Sequence, residues 1–206
     1  MGGGRRSRSG AARRLRLHPQ RQPRRGRGCR GRLRPEPFVN PPLRLRPATP
    51  EDRFRIRRWL SEPEARAWWG NAASAEAEIN LAMSSDAALC RMVEMEKAPI
   101  GYGQAVEVSL WGGPRPDELV PGTWDVDLFI GSAEHRGRGL GGAALALLVE
   151  EVFATTLAVA CSALVPVRNE AGARAYERAG FRWRRIWQDP VFGPSWLLVR
   201  ERPPHR

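Results

Sequence analysis

The 206-residue sequence contains few of the residues from which metal sites and disulfide frameworks are built. Its three cysteines and three histidines stand far apart, and no two cysteines are separated by only two residues. We therefore expect neither a zinc site nor a set of disulfide bonds, and no metal among the cofactors. Few, widely spaced cysteines are most typical of a protein in a reducing cytoplasm, which is the expected location.

Long apolar runs are missing as well. No stretch approaches the length of about 18 apolar residues that a membrane-spanning helix needs, so no membrane partner is expected. Apolar residues still make up 42% of the chain, which is enough for one hydrophobic core. A chain of this length has room for one domain with an appendage.

The net charge of +12 is confined to one end of the chain. Residues 1–42 contain 13 arginines and one acidic residue, whereas residues 43–206 contain 21 basic and 21 acidic residues. This leader is rich in Gly, Pro and Arg and cannot bury enough apolar surface to offset the entropy of ordering, so we expect it to be disordered. It is interpreted as an arm for nucleic acid or an anionic surface, a transit peptide, or an upstream extension without function. Nucleic acid is not expected as a partner elsewhere.

Beyond the leader, strand-like and helix-like segments alternate over residues 43–206. This order predicts one α/β domain in which a mixed sheet carries helices on both faces. We expect strands at 43–47, 89–95, 100–110, 123–130, 158–164, 181–187 and 195–200, and helices at 49–62, 74–83, 139–154 and 169–179.

The most specific segment connects the predicted strand 123–130 to the predicted helix 139–154. It reads Arg136-Gly137-Arg138-Gly139-Leu140-Gly141-Gly142. Glycines let successive backbone N–H groups converge on one point, and the N-terminus of the helix adds a positive end, which together favour phosphate oxygens. The two arginines would add charge-assisted contacts. The alternative is a turn that serves only packing.

A second motif begins 28 residues after Gly141. Asn169 begins the next predicted helix, Tyr176 lies seven residues further on the same helix face, and Gly180-Phe181 ends the helix. The two motifs together resemble the acetyl-CoA site of the GNAT acetyltransferases, over roughly residues 43–202.

This resemblance implies the GNAT fold, with a mostly antiparallel central sheet that is splayed between strands 4 and 5. It also implies a bulge in the fourth strand, acetyl-CoA as cosubstrate with its pantetheine arm in the splay, and Tyr176 as the acid for the departing thiolate. The residues expected to bind the cofactor are Phe129, Ile130, Arg136, Gly137, Arg138, Gly139, Leu140, Gly141, Gly142, Asn169 and Tyr176.

Within that family, Trp68-Trp69-Gly70, the segment 99–104 and the segment 127–130 are similar to the aminoglycoside 6′-N-acetyltransferases. The similarity implies that Asp127 is the base for a primary amine, which is mostly ammonium at pH 7 and must lose a proton before it attacks. The tryptophan pair either covers an acceptor pocket or packs in the core. The expected acceptor contacts are Trp68, Trp69, Tyr102, Asp125 and Asp127.

Asp125 has the same strand parity as Asp127 and would face the same side of the sheet. With Asp117 and Glu118 in the preceding loop, the pair forms either an acidic mouth or an ordinary solvated face. One position departs from the aminoglycoside enzymes, which carry a further Asp five residues before the helix Asn, where this chain has Leu164.

We therefore expect an N-acetyltransferase, monomeric or homodimeric, that acts on an aminoglycoside-like or other small cationic amine. The alternatives are an acyltransferase of a hydroxamate-siderophore precursor or of a protein amine, and a non-catalytic module that binds CoA or an antibiotic.

Overall fold

The computed structural model describes residues 42–110 and 114–204. The predicted leader lies outside these ranges apart from its last residue, so its disorder stays a prediction.

Seven strands form one mixed sheet with the order β1-β2-β3-β4-β5-β7-β6. Every neighbouring pair is antiparallel except β4 and β5, which run parallel. The predicted fold class is confirmed. The strands are β1 (Leu43–Pro47), β2 (Ala88–Met95), β3 (Ala98–Glu107), β4 (Thr123–Ile130), β5 (Ala160–Pro166), β6 (Arg182–Asp189) and β7 (Gly193–Glu201).

Helices cover both faces of the sheet. One face packs against α1 and α3 and buries Met92 and Tyr102, and the other packs against α4 and α5 and buries Val126 and Leu148. In the part of the chain that the structure describes, no helix is long and apolar enough to cross a bilayer. The α-helices there are α1 (Arg53–Leu60), α2 (Pro63–Trp69), α3 (Ala72–Met83), α4 (Leu140–Thr155) and α5 (Glu170–Arg178).

The parallel strands β4 and β5 pair along only part of their length. Their register runs from Thr123 opposite Ala160 to Asp125 opposite Ser162 and stops there. Beyond this point β4 remains paired with β3, and β5 remains paired with β7. The facing edges of the two strands are therefore left with unpaired backbone groups, as the predicted splay requires.

Two details differ from the prediction. The register between β3 and β4 is continuous from Trp124 to Ile130, and the expected bulge is not seen there. The sequence pattern also places a helix stop at Pro63, whereas this residue is the first of α2. Proline suits the first position of a helix because its missing N–H would have no intrahelical partner there.

Candidate functional site

The splay between β4 and β5 opens into a cleft of about 530 Å³. The C-terminal halves of both strands, the turn before α4, one face of α5 and part of α2 form its walls. The predicted site residues that line the cleft are Trp68, Trp69, Asp127, Phe129, Ile130, Arg136, Gly137, Gly139, Leu140, Gly141, Gly142, Asn169 and Tyr176. Their roles stay predictions.

Gly137 and Gly139 give the turn before α4 its shape. Their φ angles are +70° and +80°, a region that other residues rarely adopt. A Cβ at either position would meet no atom within 4 Å, so open space lies beside the turn. The first N–H groups of α4 have no partner within the helix and add to the donors of the turn. This set of donors fits a pyrophosphate group.

The Arg136 side chain lines the cleft but makes hydrogen bonds within the protein, so its predicted phosphate contact stays a prediction. Its Nε donates to the Ile130 carbonyl at 2.9 Å and its Nη2 to the Gly131 carbonyl at 2.6 Å. Its guanidinium also pairs with Glu62 at 2.7 Å and with Glu64 at 3.4 Å. With its donors used inside the protein, Arg136 anchors the end of β4 to the start of α2.

Positive charge beside the turn comes from other arginines. Arg138 is exposed on the turn itself, although it does not line the cleft. Arg174 and Arg178 line the cleft from α5, and Arg174 pairs with Glu170 at 3.1 Å. The sequence analysis missed both α5 arginines. Their spacing of four residues, which puts them on one helix face, is the signal that would have found them.

Asn169 is the N-cap of α5. Its Oδ1 accepts a hydrogen bond from the Gly172 N–H at 2.9 Å, which leaves its NH₂ group for a ligand. A Cβ on Gly172 would lie 2.6 Å from Asn169 Nδ2. The absence of a side chain at Gly172 therefore leaves room for the capping amide.

Tyr176 closes the inner end of the splay. Its hydroxyl donates to the Val126 carbonyl at 2.8 Å, and its ring packs edge-on against Phe181. Val126 directly follows the last residue of β4 that pairs with β5. Burial raises the pKa of the Tyr176 phenol well above its ordinary value, and the nearby charges of Asp127 and Asp125 raise it further. The hydroxyl is therefore protonated at neutral pH, and its proton is engaged with β4.

Asp127 presents a carboxylate to the cleft from β4. Burial raises its pKa well above the ordinary value, and repulsion from Asp125 and from Glu78 of α3 raises it further, while a hydrogen bond from Gln104 opposes the shift. Gln104 lies opposite Asp127 in the register of β3 and β4. A carboxylate with a raised pKa is a stronger base than a solvated one, and a cation beside it would relieve the repulsion.

Asp125 lies on the same face of β4 but does not line the cleft. It accepts a hydrogen bond from the buried Ser162 hydroxyl at 3.0 Å. Burial raises its pKa, and the negative charges of Glu78 and Asp189 act in the same direction. The acidic side chains that act on Asp125 are therefore Glu78 of α3 and Asp189 at the end of β6, whereas the predicted mouth had Asp117 and Glu118.

Glu118 does not contribute free charge to that mouth, because it pairs with Arg185, one of its oxygens lying 2.9 Å from Nη2. The glutamate on α3, Glu78, was missed by the sequence analysis, because its position beside β4 depends on tertiary packing.

The aromatic residues predicted to contact the acceptor divide into two groups. Tyr102 is fully buried and does not line the cleft. Its hydroxyl donates to Gln104 at 3.1 Å, and Gln104 is the hydrogen-bond partner of Asp127. Trp69 packs edge-on against Phe129 with ring centroids 5.1 Å apart. Trp68 is half-buried, and the Arg168 guanidinium lies 5.6 Å from its ring. Trp68 thus lies half-buried at the rim of the cleft, whereas Trp69 packs against the sheet through Phe129.

The sequence matches a known protein family and two curated proteins. Residues 49–188 match the family described as the acetyltransferase (GNAT) domain. Two curated relatives are the aminoglycoside N(6′)-acetyltransferases type 1 of Klebsiella pneumoniae and Serratia marcescens. Each is 28% identical over 174 residues, which cover 79% of this chain and 85% of the relative.

Solved structures of an aminoglycoside acetyltransferase are similar to this chain as well. The crystal structure of the aminoglycoside acetyltransferase AAC(6′)-Ib with coenzyme A has a TM-score of 0.69 and 25% identity, and the match covers 78% of this chain and 95% of that one. The structure of AAC(6′)-Ib with paromomycin and acetyl-CoA gives the same TM-score and identity, and covers 78% of this chain and 93% of that one.

Proposed function

The chain belongs to the acetyltransferase (GNAT) family, and from this we propose that it is an acetyl-CoA-dependent N-acetyltransferase acting on the primary amine of a small cationic acceptor. The observation that carries the proposal is that the glycine turn, Tyr176 and Asp127 meet in one cleft at the splay of the sheet. The cleft therefore brings together backbone donors that would bind phosphate, a hydroxyl that would give a proton and a carboxyl that would take one.

The residues of the cleft fit acetyl-CoA. The turn at Gly137 and Gly139 and the N-terminus of α4 would hold the pyrophosphate, with Arg138 and Arg178 adding positive charge. The facing edges of β4 and β5, together with the Asn169 amide, would hold the pantetheine arm. When bound, acetyl-CoA supplies the acyl group and a thiolate leaving group.

Asp127 would bind the acceptor's ammonium group and remove its proton. Its raised pKa makes it a stronger base than a solvated carboxylate, and the charges of Asp125 and Glu78 add to the attraction for a cation. A positioned base contributes about 10²–10⁴-fold to such a reaction.

The backbone of β4 would polarise the carbonyl that is attacked. Backbone N–H and C=O groups of one residue in a strand point to the same side, and successive residues alternate. The Val126 carbonyl faces Tyr176 of α5, on the side where β5 has separated, so the Leu128 N–H faces the splay too. An unpaired N–H at this place is the donor that a developing negative charge on oxygen requires.

Tyr176 would return a proton to the departing sulfur. Its hydroxyl is protonated and lies at the inner end of the cleft, and to act it must exchange the Val126 carbonyl for the thiolate.

Aminoglycoside-like amines are the first acceptors to test, because the curated relatives bear the name aminoglycoside N(6′)-acetyltransferase. The experiment measures thiol release from acetyl-CoA with aminoglycosides, polyamines and hydroxylamino-lysine analogues, and identifies the acetylated amine by mass spectrometry. We expect steady, amine-dependent release. Binding of acetyl-CoA by calorimetry without release for any amine would overturn the proposal in favour of a binding module.

A further inference from the structure

A second, smaller cavity lies next to the cleft on the same side of the sheet. It has a volume of about 120 Å³ and lies between residues 114–119 of the loop that precedes β4 and the strands β4 and β5. Its lining residues are Val108, Pro114, Arg115, Pro116, Leu119, Asp125 and Leu164.

The two cavities share a wall residue. Leu164, which is half-buried on β5, lines both the cleft and the second cavity. Asp127 lines the cleft and Asp125, two residues earlier on the same strand face, lines the second cavity. The two cavities therefore adjoin at Leu164, beside the strand face that carries both aspartates.

The lining of the second cavity suits an apolar group. Leu164 packs against the buried cluster of Val108, Leu119 and Leu197. Arg115, the one basic side chain among the lining residues, is held there by a 3.0 Å hydrogen bond to the Val108 carbonyl and would repel a second ammonium group. The one acid in the lining, Asp125, accepts the Ser162 hydroxyl, which satisfies part of its hydrogen-bonding capacity.

The volume sets the size of that group. A cavity of about 150 Å³ lined by aliphatic and aromatic side chains holds benzene. The second cavity is slightly smaller and open on one side, so it has room for a branched aliphatic group or a ring that is not fully enclosed.

We propose that the acceptor is an amphipathic amine, with one ammonium group at Asp127 and an apolar group in the second cavity, and that Leu164 determines this specificity. The inference rests on the proposed acetyl transfer and narrows its substrate class. On this proposal the chain differs in substrate specificity from an enzyme whose acceptors carry positive charges along their whole length.

The test compares kcat/KM for thiol release with 2-phenylethylamine, ethylamine, putrescine and kanamycin. We expect 2-phenylethylamine to exceed ethylamine and putrescine by about 10-fold or more, because burial of an apolar group of this size contributes at least that factor. Kanamycin should also fall below 2-phenylethylamine.

Two substitutions of Leu164, which lines both cavities, test its role in specificity. Leu164→Phe fills the second cavity and should lower the ratio of kcat/KM for 2-phenylethylamine to kcat/KM for ethylamine about 10-fold. Leu164→Asp should lower kcat/KM for 2-phenylethylamine and raise it for putrescine. Leu157→Asp is the matched control, because Leu157 is 95% exposed and lines neither cavity. Melting curves check that each variant folds, and Leu164→Phe remains informative if Leu164→Asp does not.

Higher kcat/KM for putrescine or kanamycin than for 2-phenylethylamine would overturn the inference and leave acetyl transfer intact. An unchanged ratio of 2-phenylethylamine to ethylamine in Leu164→Phe would overturn it as well. Thiol release with none of the amines would instead overturn the proposed function, and the inference with it.

Discussion

Tyr176 combines a structural contact with a proposed chemical one. Its hydroxyl satisfies the Val126 carbonyl, which the separation of β4 from β5 would otherwise leave buried without a donor. A buried acceptor left unsatisfied costs about 1–3 kcal/mol. The two contributions of the hydroxyl can be separated because one affects stability and the other turnover.

We predict that Tyr176→Phe lowers the melting temperature by at least about 2–4 °C, the shift that 1 kcal/mol produces in a domain of this size. It should also lower kcat at a temperature where the variant is folded, with acetyl-CoA affinity retained. Thr156→Val is the matched control, since it removes a hydroxyl that donates to the Val152 backbone carbonyl away from the cleft. Equal kcat values for Tyr176→Phe and the parent would reduce Tyr176 to a structural residue.

Asp127 carries a buried charge that the fold alone does not favour. Its pKa is raised in the folded state, so its ionised form destabilises that state at neutral pH. We predict that Asp127→Asn raises the melting temperature at pH 7 and that this gain shrinks as the pH falls, because the parent carboxyl then takes up its proton in the folded state. Thermal unfolding across pH 4–8 measures this, with the exposed Asp86→Asn as control. A lower melting temperature for Asp127→Asn at pH 7 contradicts it.

At the residue scale, strand parity predicted that Asp125 and Asp127 share a face, since alternation in a strand is local. The sequence could not predict that the Arg136 donors are used by Glu62 and by the carbonyls of Ile130 and Gly131. Such contacts depend on how α2 and β4 meet in the folded chain.

At the scale of elements, the turn into α4 is the part of the cofactor site that depends most on backbone conformation. We predict that Gly139→Val weakens acetyl-CoA binding by 10-fold or more, because its side chain enters the open space beside the N–H donors. Titration calorimetry measures the affinity.

Gly193→Val is the control for backbone strain. Gly193 has φ +74°, close to the value at Gly139, and a Cβ there would also meet nothing within 4 Å, but it lies in the β6–β7 hairpin. Both variants should lose similar stability, and only Gly139→Val should lose affinity. Equal affinities in the two variants would remove the turn from the cofactor site.

Most elements could be predicted because their signals are local. The bounds of β4 agree with the sequence prediction, since Gly122 and Gly131 flank an alternating run. The helix α2 was missed because Pro63 fits both the end of one helix and the first residue of the next. The direction of the Asn169 side chain was also not predictable, because helix capping and ligand binding use the same amide.

At the scale of the whole molecule, the charge distribution separates the leader from the domain. Residues 43–206 carry equal numbers of basic and acidic side chains, and the excess of positive charge lies in residues 1–42. We predict that a chain beginning at Val39 keeps the melting temperature and the kinetics of the full chain, because the leader has no apolar pattern to dock on the domain.

Thermal unfolding and thiol release on both chains check this prediction. Any nucleic-acid binding by the full chain should disappear in the shorter one. A fall of several degrees in melting temperature on truncation would mean that the leader packs on the domain.

The account as a whole depends on acetyl transfer at Asp127, and the pH dependence of thiol release by Asp127→Asn tests this most directly. With the best amine, we predict a kcat about 10²-fold below that of the parent near pH 7, the size expected for a general base. The loss should shrink as the pH rises, because free amine becomes abundant and needs no base. An Asp127→Asn variant that matches the parent at every pH would contradict the assignment of the site.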